Sequence, residues 1–174
     1  MEISDAQQEV RSVYRNGVVG QTVSGVIWLL SAALGTWVSV RTGVIALAVG
    51  GMFIFPLTQL ALRIVGGPTT LRSENPLSGL AMQVAFIIPV SIPVIGAAAL
   101  YNVDWFYPAF MVIVGAHYLP FVFLYGMRAY AVLAGVLIAG GVTTGYLLPD
   151  TFSIGGWFGG AALLLFALIV WHLR

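Results

Sequence analysis

Residues Phe106–Met127 read FYPAFMVIVGAHYLPFVFLYGM, an apolar run without one permanently charged side chain. A hydrocarbon layer of about 30 Å takes roughly 20 residues of α-helix to cross, and this run is long enough. Inside lipid every backbone N–H and C=O must be satisfied within the protein, which favours helix for an isolated run of this length. Working outward, runs of similar length recur. Gly17–Val38, Gly43–Val65 and Leu77–Leu100 precede it, and Tyr130–Leu148 and Ile154–His172 follow it. The expected fold is therefore all-α, a polytopic transmembrane bundle of six spans over residues 16–174, preceded by a short amphipathic segment over residues 1–15.

Composition points the same way. The chain has 174 residues, of which 60% are hydrophobic and only 7% charged. Soluble domains carry roughly 25% charged residues, so lipid must be the solvent for most of this surface. A net charge of +1 with no basic run gives nothing to neutralise nucleic-acid phosphates. With no cysteine, disulfides, thiolate nucleophiles and cysteine metal sites are excluded.

The breaks between spans carry turn chemistry: Ser39–Thr42, the polar loop Gly66–Pro76, Asn102 with Asp104, Arg128, and Pro149-Asp150. Six spans put Arg11, Arg15, Arg63, Arg72, Arg128 and Arg174 on one side and Arg41 on the other. The positive-inside rule then sets both termini in the cytoplasm, in the inner membrane of a prokaryote. Met1–Arg15 has no apolar core of a signal peptide. Ser4 and Gln7 have the spacing of a capping box, and Val10, Val13 and Tyr14 share one face, as in a helix lying on the membrane surface.

Small residues recur at four-residue spacing, which allows helices to approach closely in lipid. Gly20/Ser24 and Ser31/Gly35 lie in the first span, Ala131, Gly135, Ala139 and Thr143 in the fifth, and Gly155/Gly159 with Gly156/Gly160 in the sixth. Their expected use is inside one bundle. Tyr101, Trp105, Phe106 and Tyr107 form the expected outer aromatic belt, with Trp157 and Trp171 anchoring the last span. Glycine-to-arginine patterns in the even-numbered spans fit three parallel hairpins, while an inverted 3+3 division and the topology rule alone fit them as well.

No acidic residue lies within a span, which argues against carboxylate-coupled transport and carboxylate metal sites. His117 stands halfway along the fourth span, next to Tyr118, on a helix whose Tyr107, Met111, Val114, Tyr118, Phe121 and Tyr125 line one face. Ser31, Ser91, Thr143 and Thr144 fall at similar depth. Pro89 and Pro93 each remove a helical hydrogen bond from the third span, so a kinked helix facing His117 forms the floor of a candidate polar site. Gln21, Gln59 and Gln83, with Thr58 and Arg63, form a second polar layer nearer the cytoplasm, able to donate and accept along a solute path. For each group the alternative is interhelical glue. Ser73 or Asn75 is expected to cap the third span, with Pro76 in its first turn. There is no HExxH, GxSxG or P-loop, and no acid to orient His117 for hydrolysis, so an enzyme is not expected. Neither metal nor cofactor is expected.

The runs ENPLSGLAMQVAF (Glu74–Phe86), YNVDWFYPAFMVIVGAHYLPFVFLYGM (Tyr101–Met127) and NGVVGQTVSGVIWLLSAALGTW (Asn16–Trp37) resemble a family of small prokaryotic multi-pass membrane proteins of unknown function. The GAHYLP segment is the most specific part. The resemblance implies a bacterial cytoplasmic membrane and one domain over the chain, and it implies no activity. Two functional expectations follow from the residues. In the first, a small neutral or weakly polar solute binds in or passes through the bundle at His117, Tyr118, Ser91, Pro89, Pro93 and Thr143, with Gln21, Gln59 and Gln83 inward of them. In the second, a non-transporting scaffold or accessory subunit self-associates through small-residue faces, a homodimer being the simplest assembly.

Overall fold

The computed structural model describes residues 1–148 and 150–172. Among these there is helix and no strand. The helices are α1 (Ile3–Val13), α2 (Val18–Trp37), α3 (Val40–Val65), α4 (Ser78–Tyr101), α5 (Phe106–Tyr118), α6 (Phe121–Tyr125), α7 (Ala129–Leu147) and α8 (Phe152–His172). Five of the helical segments are long and apolar enough to cross a membrane: Arg15–Trp37, Val40–Val65, Ser78–Tyr101, Ala129–Leu147 and Phe152–His172. That number of long apolar helices marks a membrane protein. Pro149 and Arg174, used above for a turn and for the charge count, lie outside the described residues.

The fourth expected span is divided. Pro120 has no N–H to donate to Ala116, and the Leu119 N–H takes the Ala116 carbonyl instead, at 3.2 Å. The helix thus ends at Tyr118 and restarts at Phe121, although Leu119 and Pro120 both keep right-handed helical angles. Gly126 then closes α6 at φ +63°.

Packing is uneven. α2 lies between α8 and α3, α5 packs along α7, and α4 flanks α5. The α2/α8 crossing is close because glycines line it. A Cβ on Gly25 would meet Leu164 at 2.7 Å, one on Gly159 the Trp28 ring at 2.6 Å, and one on Gly160 Leu29 at 2.7 Å. Gly43 approaches Gly35 Cα and the Ser31 carbonyl in the α2/α3 crossing, and Gly141 approaches the Pro108 carbonyl between α7 and α5. Without a hydrophobic drive between helices in lipid, such contacts carry the association.

The α7 ladder departs from expectation. Ala131, Gly135, Ala139 and Thr143 are exposed, and nothing lies within 4 Å of a Cβ built on Gly135. The inward face is instead Tyr130, Leu133, Ala134, Leu137, Gly140, Gly141 and Thr144. The aromatic belt also divides: Tyr101 is exposed, whereas Phe106 and Tyr107 are buried in the core. Side chains near a span end turn inward when their helix face does.

The capping box is absent. α1 starts at Ile3 with no side-chain cap, and Gln7 Nε2 donates to the Phe123 carbonyl. Nor is the apolar face of α1 spent on lipid. Ala6, Val10 and Val13 are buried, and Ala6 and Val10 belong to the same core cluster as Leu77 and Leu124.

Candidate functional site

The end of the bundle that carries α1 holds a cluster of rings and amides. Gln21, one turn into α2, is buried, and its Nε2 donates to Tyr130 Oη at 3.2 Å. The Tyr130 hydroxyl donates in turn to the Asn16 carbonyl at 2.8 Å. Gly17 makes this meeting possible: it sits at φ +80°, where L side chains are strained, and a Cβ there would collide with Tyr130 Oη. Around Tyr130 stand Tyr118 at 5.9 Å, Phe121 at 5.1 Å, Tyr125 at 5.0 Å and Phe166 at 5.1 Å between ring centroids. The helical stripe read from the sequence accounts for most of these rings, since Tyr107, Met111, Val114, Tyr118 and Tyr125 are all buried. Tyr130 and Trp28, two of the largest fully buried side chains, were not among the expected residues. A lone tyrosine opening the fifth span was the available signal.

His117 sits at the edge of this cluster. Its ring lies 5.3 Å from Tyr118 and 5.0 Å from Phe121, with the backbone of Val84 on α4 beside it. Its Nδ1 is buried without a hydrogen-bond partner. The proline kink does not face it. Pro89 and Pro93 are exposed, as are Ala85 and Ala97 of the same stripe, while α4 turns Val84 and Ile95 inward. Two residues four apart share a face, and here that face turns outward. Ser91 donates back to the Ile87 carbonyl at 2.7 Å.

The three glutamines do not converge. Gln21 is buried, Gln59 on α3 is half-buried and Gln83 on α4 is exposed. Gln21 Oε1 and Thr58 Oγ1 are buried without partners. Thr143 faces outward, and Thr144 donates to the Gly140 carbonyl. Ser31 is a separate centre. Its hydroxyl donates to the Gly43 carbonyl at 2.7 Å and shares a 2.5 Å bond with Tyr107 Oη. With the serine proton on Gly43, the tyrosine is the donor, and α2, α3 and α5 are joined at one atom.

α1 closes the cluster from outside. Arg11 Nη1 donates to the Tyr125 carbonyl at 2.6 Å and Arg15 Nη2 to the Gly66 carbonyl at 2.7 Å. Glu9 accepts from the Arg72 backbone N–H at 2.7 Å and from Asn75 Nδ2 at 3.0 Å, and pairs with Arg72 Nε at 3.2 Å. The Arg72 N–H above all, then the Asn75 amide and the Arg72 guanidinium, hold the Glu9 carboxyl below its ordinary 4.5 against partial desolvation. Asn75 also donates to the Ala6 carbonyl and accepts from the Leu77 N–H at 2.9 Å. It is not the expected helix cap: α4 starts at Ser78 with Leu77 at its N-cap and no side-chain cap, and Pro76 lies ahead of the first turn. Asn75 instead closes the turn before α4 while anchoring α1. That second role is invisible in a local motif.

The model of a family of unknown function, DUF7010, matches residues 3–173, and the chain belongs to that family. No curated protein and no solved structure matches the chain.

Proposed function

We propose that this is a non-transporting membrane subunit that crosses the bilayer six times and self-associates through the outward face of α7. The crossing beyond the five long helical segments is the fourth in chain order, Phe106–Tyr125, a span broken at Pro120, whose length at about 1.5 Å per residue approaches 30 Å. Both termini are cytoplasmic in this reading, with Arg11, Arg15, Arg63, Arg72 and Arg128 on that side and Arg41 opposite. The membrane is the cytoplasmic membrane of a prokaryote.

One contrast carries the proposal. The interior is filled by rings, from Phe152, Tyr107 and Trp28 to Tyr118, Tyr125 and Tyr130. Ala131, Gly135 and Ala139, meanwhile, form an open stripe at the spacing that lets two helices touch. A second copy of the chain is the occupant. Because the chain has no cysteine, single cysteines report cleanly. Oxidative cross-linking in membranes should trap dimers at Ala131→Cys and Ala139→Cys and not at Leu168→Cys on α8, and Gly135→Ile should abolish them. Monomers throughout, or equal cross-linking at all three positions, refute the interface.

A second reading, a small neutral solute bound at the α1 end, is favoured by Gln21 Oε1 alone. Water or a ligand would satisfy this buried acceptor, which has no protein donor. Isothermal titration with candidate amides and polyols, compared with Gln21→Leu, tests it. Heats unchanged by the substitution count against it.

A further inference from the structure

We infer that the junction of α1 and α2 is a binding site for the phosphate of an anionic phospholipid headgroup. A cavity of about 450 Å³ opens there, bordered by Gln8, Arg11, Ser12, Arg15 and Asn16 and by Gly67 of the loop after α3. Among the described residues no carboxylate borders it. Arg11 lies in the last turn of α1 and Arg15 just beyond its end, and a guanidinium nitrogen of each donates to a backbone carbonyl, Tyr125 and Gly66 respectively. For Arg11 that partner is neutral, so the bond fixes the planar fork without offsetting its charge. A guanidinium has five N–H donors, and a fork held in place loses little entropy when it meets a phosphate. The amides of Gln8 and Asn16 and the Ser12 hydroxyl add neutral donors around the rim.

The backbone supports the same assignment. Arg15 and Asn16 both have positive φ, 52° and 55°, ahead of Gly17. Two consecutive non-glycine residues in this region cost energy and are kept only where the surroundings fix them. Here the outcome is that the chain reverses sharply and brings Arg15 back to the cavity rim. The neighbouring groove between α1 and Arg72, with about 860 Å³, is bordered by Asp5 and Glu9 as well as Arg72 and offers no comparable field.

Position identifies the source of the phosphate. The first membrane-length helical segment begins at Arg15, so the cavity opens at headgroup depth, where anionic lipids attract basic groups. This rests on the chain lying in a membrane and is independent of the dimer and of which side α1 occupies.

The test uses the full chain in a neutral detergent, titrated with dihexanoyl-phosphatidylglycerol, dihexanoyl-phosphatidylcholine or inorganic phosphate, with thermophoresis as the readout. The anionic lipid should saturate the protein with affinity about tenfold above the zwitterionic one, and Arg11→Gln should remove about that factor. Arg41→Gln, at the far end of α2 and α3, should change nothing. Ser12→Asp sets a carboxylate on the rim without touching the Tyr125 anchor, and covers the case in which Arg11→Gln does not fold. It should weaken binding to a similar degree. Equal affinity for the two lipids, or anionic-lipid binding unchanged in both variants, overturns the site. Inorganic phosphate binding as tightly as the anionic lipid overturns the lipid assignment.

Discussion

α3 and α4 are as apolar as the helices of the centre, yet they are hardly buried. In the most apolar 18-residue stretch of each segment, 44% of residues are buried for the α2 segment, α7 and α8, against 6% for α3 and 11% for α4. Hydrophobicity thus puts a helix in the membrane and says nothing about its rank in the bundle. The difference lies in the small residues. Gly25 of α2, Gly140 and Gly141 of α7 and Gly159 and Gly160 of α8 meet a side chain or a backbone carbonyl where a Cβ would stand, whereas Gly79 and Gly96 on α4 face open space. α3 is divided, with Gly43 and Gly50 against α2 and Gly51 open. In lipid, close approach is what distinguishes a partner helix from a solvent molecule.

The sharpest way to break this comparison is to fill one glycine of each kind. Gly159→Leu drives a side chain into the Trp28 ring and should cost about 3 kcal/mol, or prevent folding. Gly96→Leu should stay within about 0.5 kcal/mol of the parent, as surface substitutions do. Denaturation in mixed micelles measures both, and equal losses would dissolve the distinction between centre and flank.

A smaller effect is expected where the flank is joined to the centre by one atom. Ser31→Ala removes bonds to the Gly43 carbonyl and to Tyr107, and about 0.6 to 1.7 kcal/mol should go with them. A double-mutant cycle with Tyr107→Phe should return a coupling of about 0.5 kcal/mol or more. Strict additivity would mean that the hydroxyls do not meet.

The smallest effect concerns α1, which ties the loop before α4 to the last turn of α6. The Glu9 carboxyl is held below its ordinary value, so its contribution is complete above pH 4.5 and is lost as pH falls through and below that point. Hydrogen exchange over Ile3–Val13 should therefore gain protection from pH 4 to pH 6 beyond the intrinsic rate change. Glu9→Gln should flatten the gain, and an identical pH profile in that variant would assign the clamp to Arg11 and Gln7 instead.

Much of the candidate site was legible as a list and little of it as an arrangement. Spacing along one helix correctly grouped Tyr107, Met111, Val114, Tyr118 and Tyr125, because residues of one face share one environment. Spacing could not choose which face of α4 turns inward, and the prolines went out. Nor could equal depth bring Gln21, Gln59 and Gln83 together, since depth fixes one coordinate and rotation about each helix axis fixes another.

The sequence by itself determined the solvent of this protein, its helical class and all five of the long apolar segments, because hydrocarbon tolerates neither charge nor unbonded backbone. Pro120 also stood in the sequence, but only the folded chain decided that the helix stops there and restarts. The tertiary structure alone turned the α7 ladder outward, drew Tyr130 under Gly17, and laid α1 across the bundle end. The first depends on α7 packing against α5 and α8, and the other two on contacts between residues more than a hundred positions apart, Gln7 with Phe123 and Arg11 with Tyr125 among them. No local period encodes such pairs.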